Sequence, residues 1–117
     1  MTRLLPLSSA LLVLLVAPAQ AAPLSAAAIL QQFNLVAFED VSSTSHVHGR
    51  SYVGGQLASS SRAEFGEDGS LPASGYAALN VIGDASRFTV NRGGLAVVGR
   101  VSNAIINSGV SLVLNGA

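Results

Sequence analysis

The chain of 117 residues is long enough for one small domain. Its six basic residues, all of them Arg, balance six acidic residues at a net charge of zero, which argues against the basic surface that nucleic-acid binding needs. Cysteine is absent, so no disulfide can brace the fold.

The first 21 residues have the composition of a secretory signal peptide. Arg3 gives a positive start, residues 10–17 (ALLVLLVA) form an apolar stretch too short to span a bilayer, and residues 19–21 are an A-x-A cleavage site. The alternative is a buried N-terminal helix. We expect a secreted protein whose mature chain starts near Ala22, has no membrane span and forms one domain over residues 22–117.

A short helix is predicted next. Ser25 is a suitable N-cap, and the apolar residues that follow share one helical face. These residues are Ala26, Ile29, Leu30 and Phe33. We expect this helix to cap the first strands, which begin near Leu35.

A repeat follows the helix. A four-residue motif recurs every 16 positions, at residues 81–84 (VIGD), 97–100 (VVGR) and 113–116 (VLNG). Residues 52–55 (YVGG) have a similar sequence. Branched apolar residues suit strands, Gly suits the corners, and a short fixed period is typical of a solenoid. We therefore predict an all-β, parallel β-solenoid with an N-terminal capping helix, right-handed because parallel crossovers nearly always are.

The same period predicts how side chains stack. Val81, Val97 and Val113 should form one interior column. The residues after them should form a second apolar column on the other side of the same wall, which is then covered or packs against a partner. These residues are Ile82, Val98 and Leu114.

Two stretches depart from the repeat. Residues 57–78 are rich in Ser, Gly and Ala, and we interpret them as an insertion that projects as a loop. The chain ends directly after the strand predicted at Leu112–Leu114. We expect a solenoid that is incomplete at its C-terminus and self-associates through this open strand edge.

Three segments of the chain resemble the choice-of-anchor A domain, a family of bacterial surface and secreted proteins. The segments are residues 29–40 (ILQQFNLVAFED), 45–50 (SHVHGR) and 52–55 (YVGG). The later corners at residues 81–84 and 97–99 match as well, whereas Glu39 replaces the usual Gly. The resemblance implies an adhesive β-helix at the cell surface or outside the cell.

Two groups of side chains could bind a metal. His46 and His48 are two apart on a predicted strand and point the same way, but no further ligand is evident. Glu64, Glu67 and Asp68 offer oxygens without the spacing of a calcium loop. We predict neither a metal site nor another cofactor.

Catalytic residues are not predicted either. Glu39 and Asp40 are sequence neighbours and point to opposite sides of an extended chain, and no nucleophile elbow, zinc-protease motif or phosphate loop occurs. Because polysaccharide lyases and hydrolases also use β-helices, a carbohydrate-active enzyme is the alternative. That alternative requires acids and Arg to converge in one cleft, and the candidates are Asp40, Asp84, Arg50 and Arg100.

The remaining feature is a polar surface. Short hydroxyls and amides, stacked on coils about 4.8 Å apart, could make many weak contacts to a glycan, matrix or cell surface. They are Ser42, Ser43, Ser45, Ser59, Ser60, Ser61, Ser102, Asn103, Asn107, Ser108 and Ser111. Thr44 and Thr89 are too few for a regular ice-binding array. We predict a non-enzymatic adhesin-like module whose partner is a surface or matrix polysaccharide.

Overall fold

The computed structural model describes residues 25–67, 71 and 73–116, so the signal peptide predicted for residues 1–21 lies outside the described residues. One helix, α1 (Ala26–Gln32), precedes the strands. The strands are β1 (Leu35–Ala37), β2 (His46–Val47), β3 (Ser51–Val53), β4 (Leu57–Phe65), β5 (Leu79–Val81), β6 (Ala85–Val90), β7 (Gly94–Val97), β8 (Val101–Ile106) and β9 (Ser111–Leu114).

The strands form two parallel sheets. The five-stranded sheet has the order β1-β3-β5-β7-β9 and the four-stranded sheet has the order β2-β4-β6-β8. Consecutive strands of the chain therefore alternate between the sheets, and each strand pairs with the strand two places later. A mostly β fold with parallel strands and one short helix, which the sequence predicts, is confirmed for the described residues.

The core lies between the two sheets and follows from the alternation of side chains along each strand. In the five-stranded sheet, Val53, Val81 and Val97 share one register position and are at most 1% exposed. Phe65 and Phe88 enter the same core from the four-stranded sheet and are fully buried. Burial of each such side chain contributes roughly 1.5–3 kcal/mol to folding, so these columns hold the sheets together.

We call the stretch of chain from one strand of the five-stranded sheet to the next a coil. In the last coil, from β7 to β9, the interior column differs from the prediction. Val97 pairs with Leu114 and not with Val113, because this coil is 17 residues long where the preceding coil has 16. Val113 lies instead in register with Ala96, on the outer side of the sheet, and is 59% exposed. The predicted stacking of Val113 under Val97 is therefore wrong: one extra residue in the turn at residues 107–110 reverses which side chain faces the core.

The predicted insertion is shorter than residues 57–78. Leu57–Phe65 is β4, a strand of nine residues with Leu57, Ala63 and Phe65 buried in the core. Its Ser-rich middle forms a bulge, because Ala58 pairs with Ser86 but Ala63 pairs with Phe88. The projecting-loop interpretation is therefore wrong for the first nine residues, and the irregular segment begins after Phe65.

A bend runs through the middle of the four-stranded sheet. Arg87 in β6 and Asn103 in β8 have positive φ angles of 62° and 51°, a conformation that Asn tolerates better than most residues. Arg62 joins the bends of neighbouring strands: its guanidinium donates to the carbonyl of Phe88 at 2.8 Å and to the carbonyl of Asn103 at 2.9 Å. It also donates to the Asn103 side chain at 2.9 Å, so the Arg62 side chain links β4 to β6 and β8.

Helix α1 is attached by its C-terminal end. Ser25 is the N-cap, as predicted, and its hydroxyl accepts from the Ala28 amide at 3.1 Å. Phe33, the C-cap, is buried and packs edge-on against Tyr52 and Tyr76. Leu30 is 79% exposed, so its predicted place on a buried helix face is wrong. The helix contacts the outer side of the five-stranded sheet through Phe33.

Candidate functional site

The outer side of the five-stranded sheet carries an unusual number of apolar side chains. Its central column runs through Val36, Tyr52, Asn80, Ala96 and Val113 in successive strands. We call this surface, with the corner residues directly after the strands, the outer face. The sequence predicts an apolar second column here, and the structure places apolar side chains on this side.

The corner positions of the outer face are the most exposed. Phe38, Ile82 and Val98 follow β1, β5 and β7, and they are 82%, 43% and 49% exposed. Leu114, the third member predicted for this column, lies one register position earlier and faces the core with Val97. Ile82 and Val98 lie on neighbouring coils, whereas β3, between β1 and β5, is followed by Gly54 at this corner. All three apolar side chains lie at one edge of the sheet, where solvent reaches them.

Tyr76 adds an aromatic ring to the outer face from the irregular segment. Its ring lies 5.2 Å from that of Phe33, and its carbonyl accepts from Arg50 Nε at 3.2 Å. Ala77, the residue after Tyr76, is bound to the sheet as well, because the Asn80 side-chain amide donates to its carbonyl at 2.8 Å. The end of the insertion therefore lies across the sheet.

Several shallow grooves cross the outer face, among them two that share Tyr52 and Tyr76. The first, of about 250 Å³, lies between α1 and the sheet. Its lining residues are Ile29, Phe33, Val36, Phe38, Tyr52 and Tyr76. The second, of about 170 Å³, shares Tyr52 and Tyr76 with the first and continues past Ile82 and Val98. The two grooves share both tyrosines, and together they could accept an elongated ligand.

The predicted polar surface is only partly free for binding. Ser59 is buried, and its hydroxyl accepts from the Ser43 amide at 2.9 Å. The Ser43 hydroxyl accepts from the Ser45 amide at 3.2 Å, and Asn103 is bound by Arg62. The other predicted residues are solvent-exposed. These are Ser42, Ser60, Ser61, Ser102, Asn107, Ser108 and Ser111.

Of the acids and Arg that an enzyme would require, Asp40, Asp84 and Arg100 lie along one corner of the five-stranded sheet. Arg50 lies apart from them. Asp40 and Asp84 both follow strands of the five-stranded sheet, and each carboxylate binds the backbone of the next coil. Asp40 accepts from the Gln56 amide at 2.7 Å and Asp84 from the Arg100 amide at 2.9 Å. The two carboxylates thus hold coils in register at that corner.

Arg50 lies at the opposite corner, directly before β3. Its side chain is buried and donates to the carbonyls of Gln32 at 3.1 Å and Tyr76 at 3.2 Å. Burial lowers the pKa of the Arg50 guanidinium from its usual value, because desolvation disfavours the charged form. These contacts join the helix end and the insertion to the sheet, which is a structural role.

The two groups weighed as metal ligands, although no metal site is predicted from them, contribute to one cluster. His46 Nε2 lies 2.7 Å from Glu64 Oε2, and His46 Nδ1 lies 3.5 Å from Glu67 Oε1. Donor atoms of these three residues all lie within 4.8 Å of one another. His48 is not one of the three, and Asp68 lies outside the described residues. Sequence reasoning paired His with His and acid with acid, since only the coil register brings His46 beside Glu64.

Comparison with known proteins identifies the family. The family model for an ice-binding-like adhesive domain matches residues 26–115, and the chain belongs to this family, whose adhesive role is itself a proposal. No curated protein and no solved structure matches the chain. An adhesin-like character, with surfaces as its general partners, therefore follows from family membership.

In the described part of the chain, no helix has both the length and the apolar character needed to cross a bilayer.

Proposed function

We propose that the chain is a non-enzymatic, extracellular adhesin-like module that attaches through its outer face to polysaccharide on a cell surface or in a matrix. The observation that carries this proposal is the exposed apolar and aromatic outer face on a member of an adhesive-domain family. A contiguous exposed apolar surface marks an interaction site more often than scattered apolar residues do.

The chemistry of the outer face favours a glycan. Tyr52 and Tyr76 present rings with polar hydroxyls beside shallow grooves, which suits the mixed apolar and hydroxylated faces of sugars. Repetition along the coils would add many weak contacts, so binding would gain strength from multiplicity. The exposed Ser and Asn side chains would provide a second, polar contact surface.

A finer fold assignment supports this repetition. We propose that the two sheets are walls of one parallel β-solenoid, because each strand pairs with the strand two places later in the chain. The general rule for parallel crossovers favours a right-handed winding. The resemblance of residues 29–55 to the choice-of-anchor A domain supports the same fold and a bacterial cell-surface setting.

Retention on insoluble polysaccharide tests the function. We expect the wild-type protein to be retained on cellulose or chitin beads, and the double variant F38S/V98S to bind about tenfold more weakly, since it loses two exposed apolar contacts. Ile105→Ser is the matched control, because Ile105 is 47% exposed but lies on the four-stranded sheet. Equal losses in the variant and the control would contradict the proposed face.

The same assay separates the alternatives. Release of reducing sugars from the beads would support the carbohydrate-active enzyme and contradict a non-enzymatic module. Retention on ice in place of polysaccharide would contradict the proposed partner. Of the two described threonines, Thr44 is exposed and Thr89 is buried, so a threonine array does not face solvent in the described part of the chain.

Export is part of the proposal. We propose a secreted protein with residues 1–21 removed, on the basis of the leader-like composition. Intact-mass analysis of protein recovered outside the cell should give a chain that starts near Ala22. A mass that includes Met1 would contradict signal-peptide cleavage.

A further inference from the structure

The cluster of His46, Glu64 and Glu67 brings one imidazole and two carboxylates from separate parts of the chain to one place. His46 lies in β2 and Glu64 in β4, and the two are direct neighbours in the parallel register. Glu67 follows β4, beyond Gly66, which has a positive φ of 69° and turns the chain. The three side chains are 24–54% exposed, so an ion from solvent could reach them.

The surroundings hold the two carboxylates in place. The Asn91 amide group donates to Glu64 Oε1 at 3.4 Å and to Glu67 Oε2 at 3.3 Å. Asn91 in turn accepts from Asn107 on the next coil. The oxygens that face Asn91 are not those that face the imidazole, so each carboxylate keeps its other oxygen toward His46. Such outer contacts orient ligands in known metal sites.

We propose that His46, Glu64 and Glu67 bind a divalent transition-metal ion such as Zn²⁺, in preference to Ca²⁺ or Mg²⁺. Two carboxylates that converge on one imidazole concentrate negative charge, which a divalent cation would neutralise. The imidazole nitrogen favours Zn²⁺ over Ca²⁺ or Mg²⁺, because those ions select oxygen ligands. Three protein ligands leave a fourth tetrahedral position for water.

The ion would bind one ring nitrogen of His46, so one of the carboxylates, which now face Nε2 and Nδ1, must rotate toward the nitrogen that the other faces. Tetrahedral Zn²⁺ with bonds of about 2.1 Å places its ligand atoms about 3.4 Å from one another. The donor atoms here lie within 4.8 Å of one another, so they need to approach by no more than about 1.4 Å. Partly exposed Glu and His side chains can make that adjustment by rotamer changes while the strands remain in place.

The bound ion would connect the irregular segment to the edge of the four-stranded sheet. Strand β2 has only two residues and lies at that edge, and Glu67 begins the segment that leads to Tyr76. An ion held by both parts favours the folded protein over the unfolded chain, since the unfolded chain does not assemble the three ligands. The proposed site is independent of the adhesive function.

Calorimetric titration of metal-free, tag-free protein with Zn²⁺ tests the proposal. We expect one ion per chain, and binding at least tenfold weaker in the variants H46Q and E67Q. The control is His48→Gln, because the chain has only two His residues and a non-specific surface site would use either one. This control should change the affinity by less than about twofold, which is under 0.5 kcal/mol.

Thermal unfolding provides a second readout. Zn²⁺ should raise the unfolding temperature of the wild-type protein and of H48Q by several degrees, but not that of E67Q. Because Glu67 lies outside the strands, E67Q should unfold like the wild-type protein in EDTA, which shows that the variant is folded. Absence of Zn²⁺ binding, binding unchanged in H46Q and E67Q, or equal weakening in H48Q would each overturn the site.

Discussion

At the residue scale, the repeated Gly and Asp of the corners are explained by packing between coils. The Asp84 carboxylate binds the Arg100 amide on the next coil, and Gly99, which precedes Arg100, leaves room for that contact. Asp40 and Gly55 form the same arrangement two repeats earlier. The Gly and Asp of the repeated motif therefore hold neighbouring coils together at this corner.

Replacement of Gly99 should disturb this stacking. A Cβ atom in Gly99→Ala would lie 2.5 Å from both Asp84 Oδ1 and the carbonyl carbon of Gly83, and the backbone group cannot rotate away. We expect a loss of about 1–3 kcal/mol in the free energy of unfolding, the usual cost of overpacking. Urea denaturation measures this value. In the control Gly75→Ala the new Cβ meets no atom within 4 Å, so its stability should stay close to that of the wild type.

At the element scale, the attachment of α1 rests on Phe33. The helix itself has no buried residue, whereas Phe33 is only 9% exposed and contacts Tyr52 and Tyr76. We expect Phe33→Ala to destabilise the protein by about 2–3 kcal/mol, near the lower end for truncation of a buried Phe. Leu30→Ala should cost less than about 0.5 kcal/mol, because Leu30 is 79% exposed.

Amide hydrogen exchange checks the prediction for the helix directly. In Phe33→Ala the amides of α1 should exchange faster than they do in the wild type, since the helix loses its contact with the sheet. The amides of β5 should exchange as in the wild type, because the core remains. Equal protection of α1 in the wild type and in Phe33→Ala would show that other contacts hold the helix, and would contradict the role given to Phe33.

How far the elements could be predicted depends on which residues carry the period. The 16-residue spacing located β5 and β7, because each coil there has no extra residue. The spacing failed at Val113, because one added residue moves the Val113 side chain to the other side of the sheet. It also missed the strand Leu57–Phe65, because that Ser-rich segment lacks the composition of a typical strand. The cluster at His46 could not be found from spacing, since its members meet only through the pairing of β2 with β4.

At the scale of the whole molecule, two features of the five-stranded sheet favour association with other copies. Its outer face carries exposed apolar corners, and its last strand, β9, lies at the edge of the sheet. Leu112 and Val113 in β9 are 50% and 59% exposed. Strand edges with uncharged apolar side chains pair readily with other strands, so two copies of this sheet could join edge to edge.

We therefore expect the chain of 117 residues to self-associate through β9. The variant Val113→Lys should shift the equilibrium toward monomer, because a charged side chain at a strand edge disfavours pairing with a second copy. Light scattering after size exclusion at several concentrations measures the shift. The control Ala58→Lys places the same charge at an exposed position of β4, an inner strand of the four-stranded sheet, and should leave association unchanged. A wild-type protein that stays monomeric at every concentration would contradict edge pairing, and an equal effect of both Lys variants would point to repulsion by net charge instead.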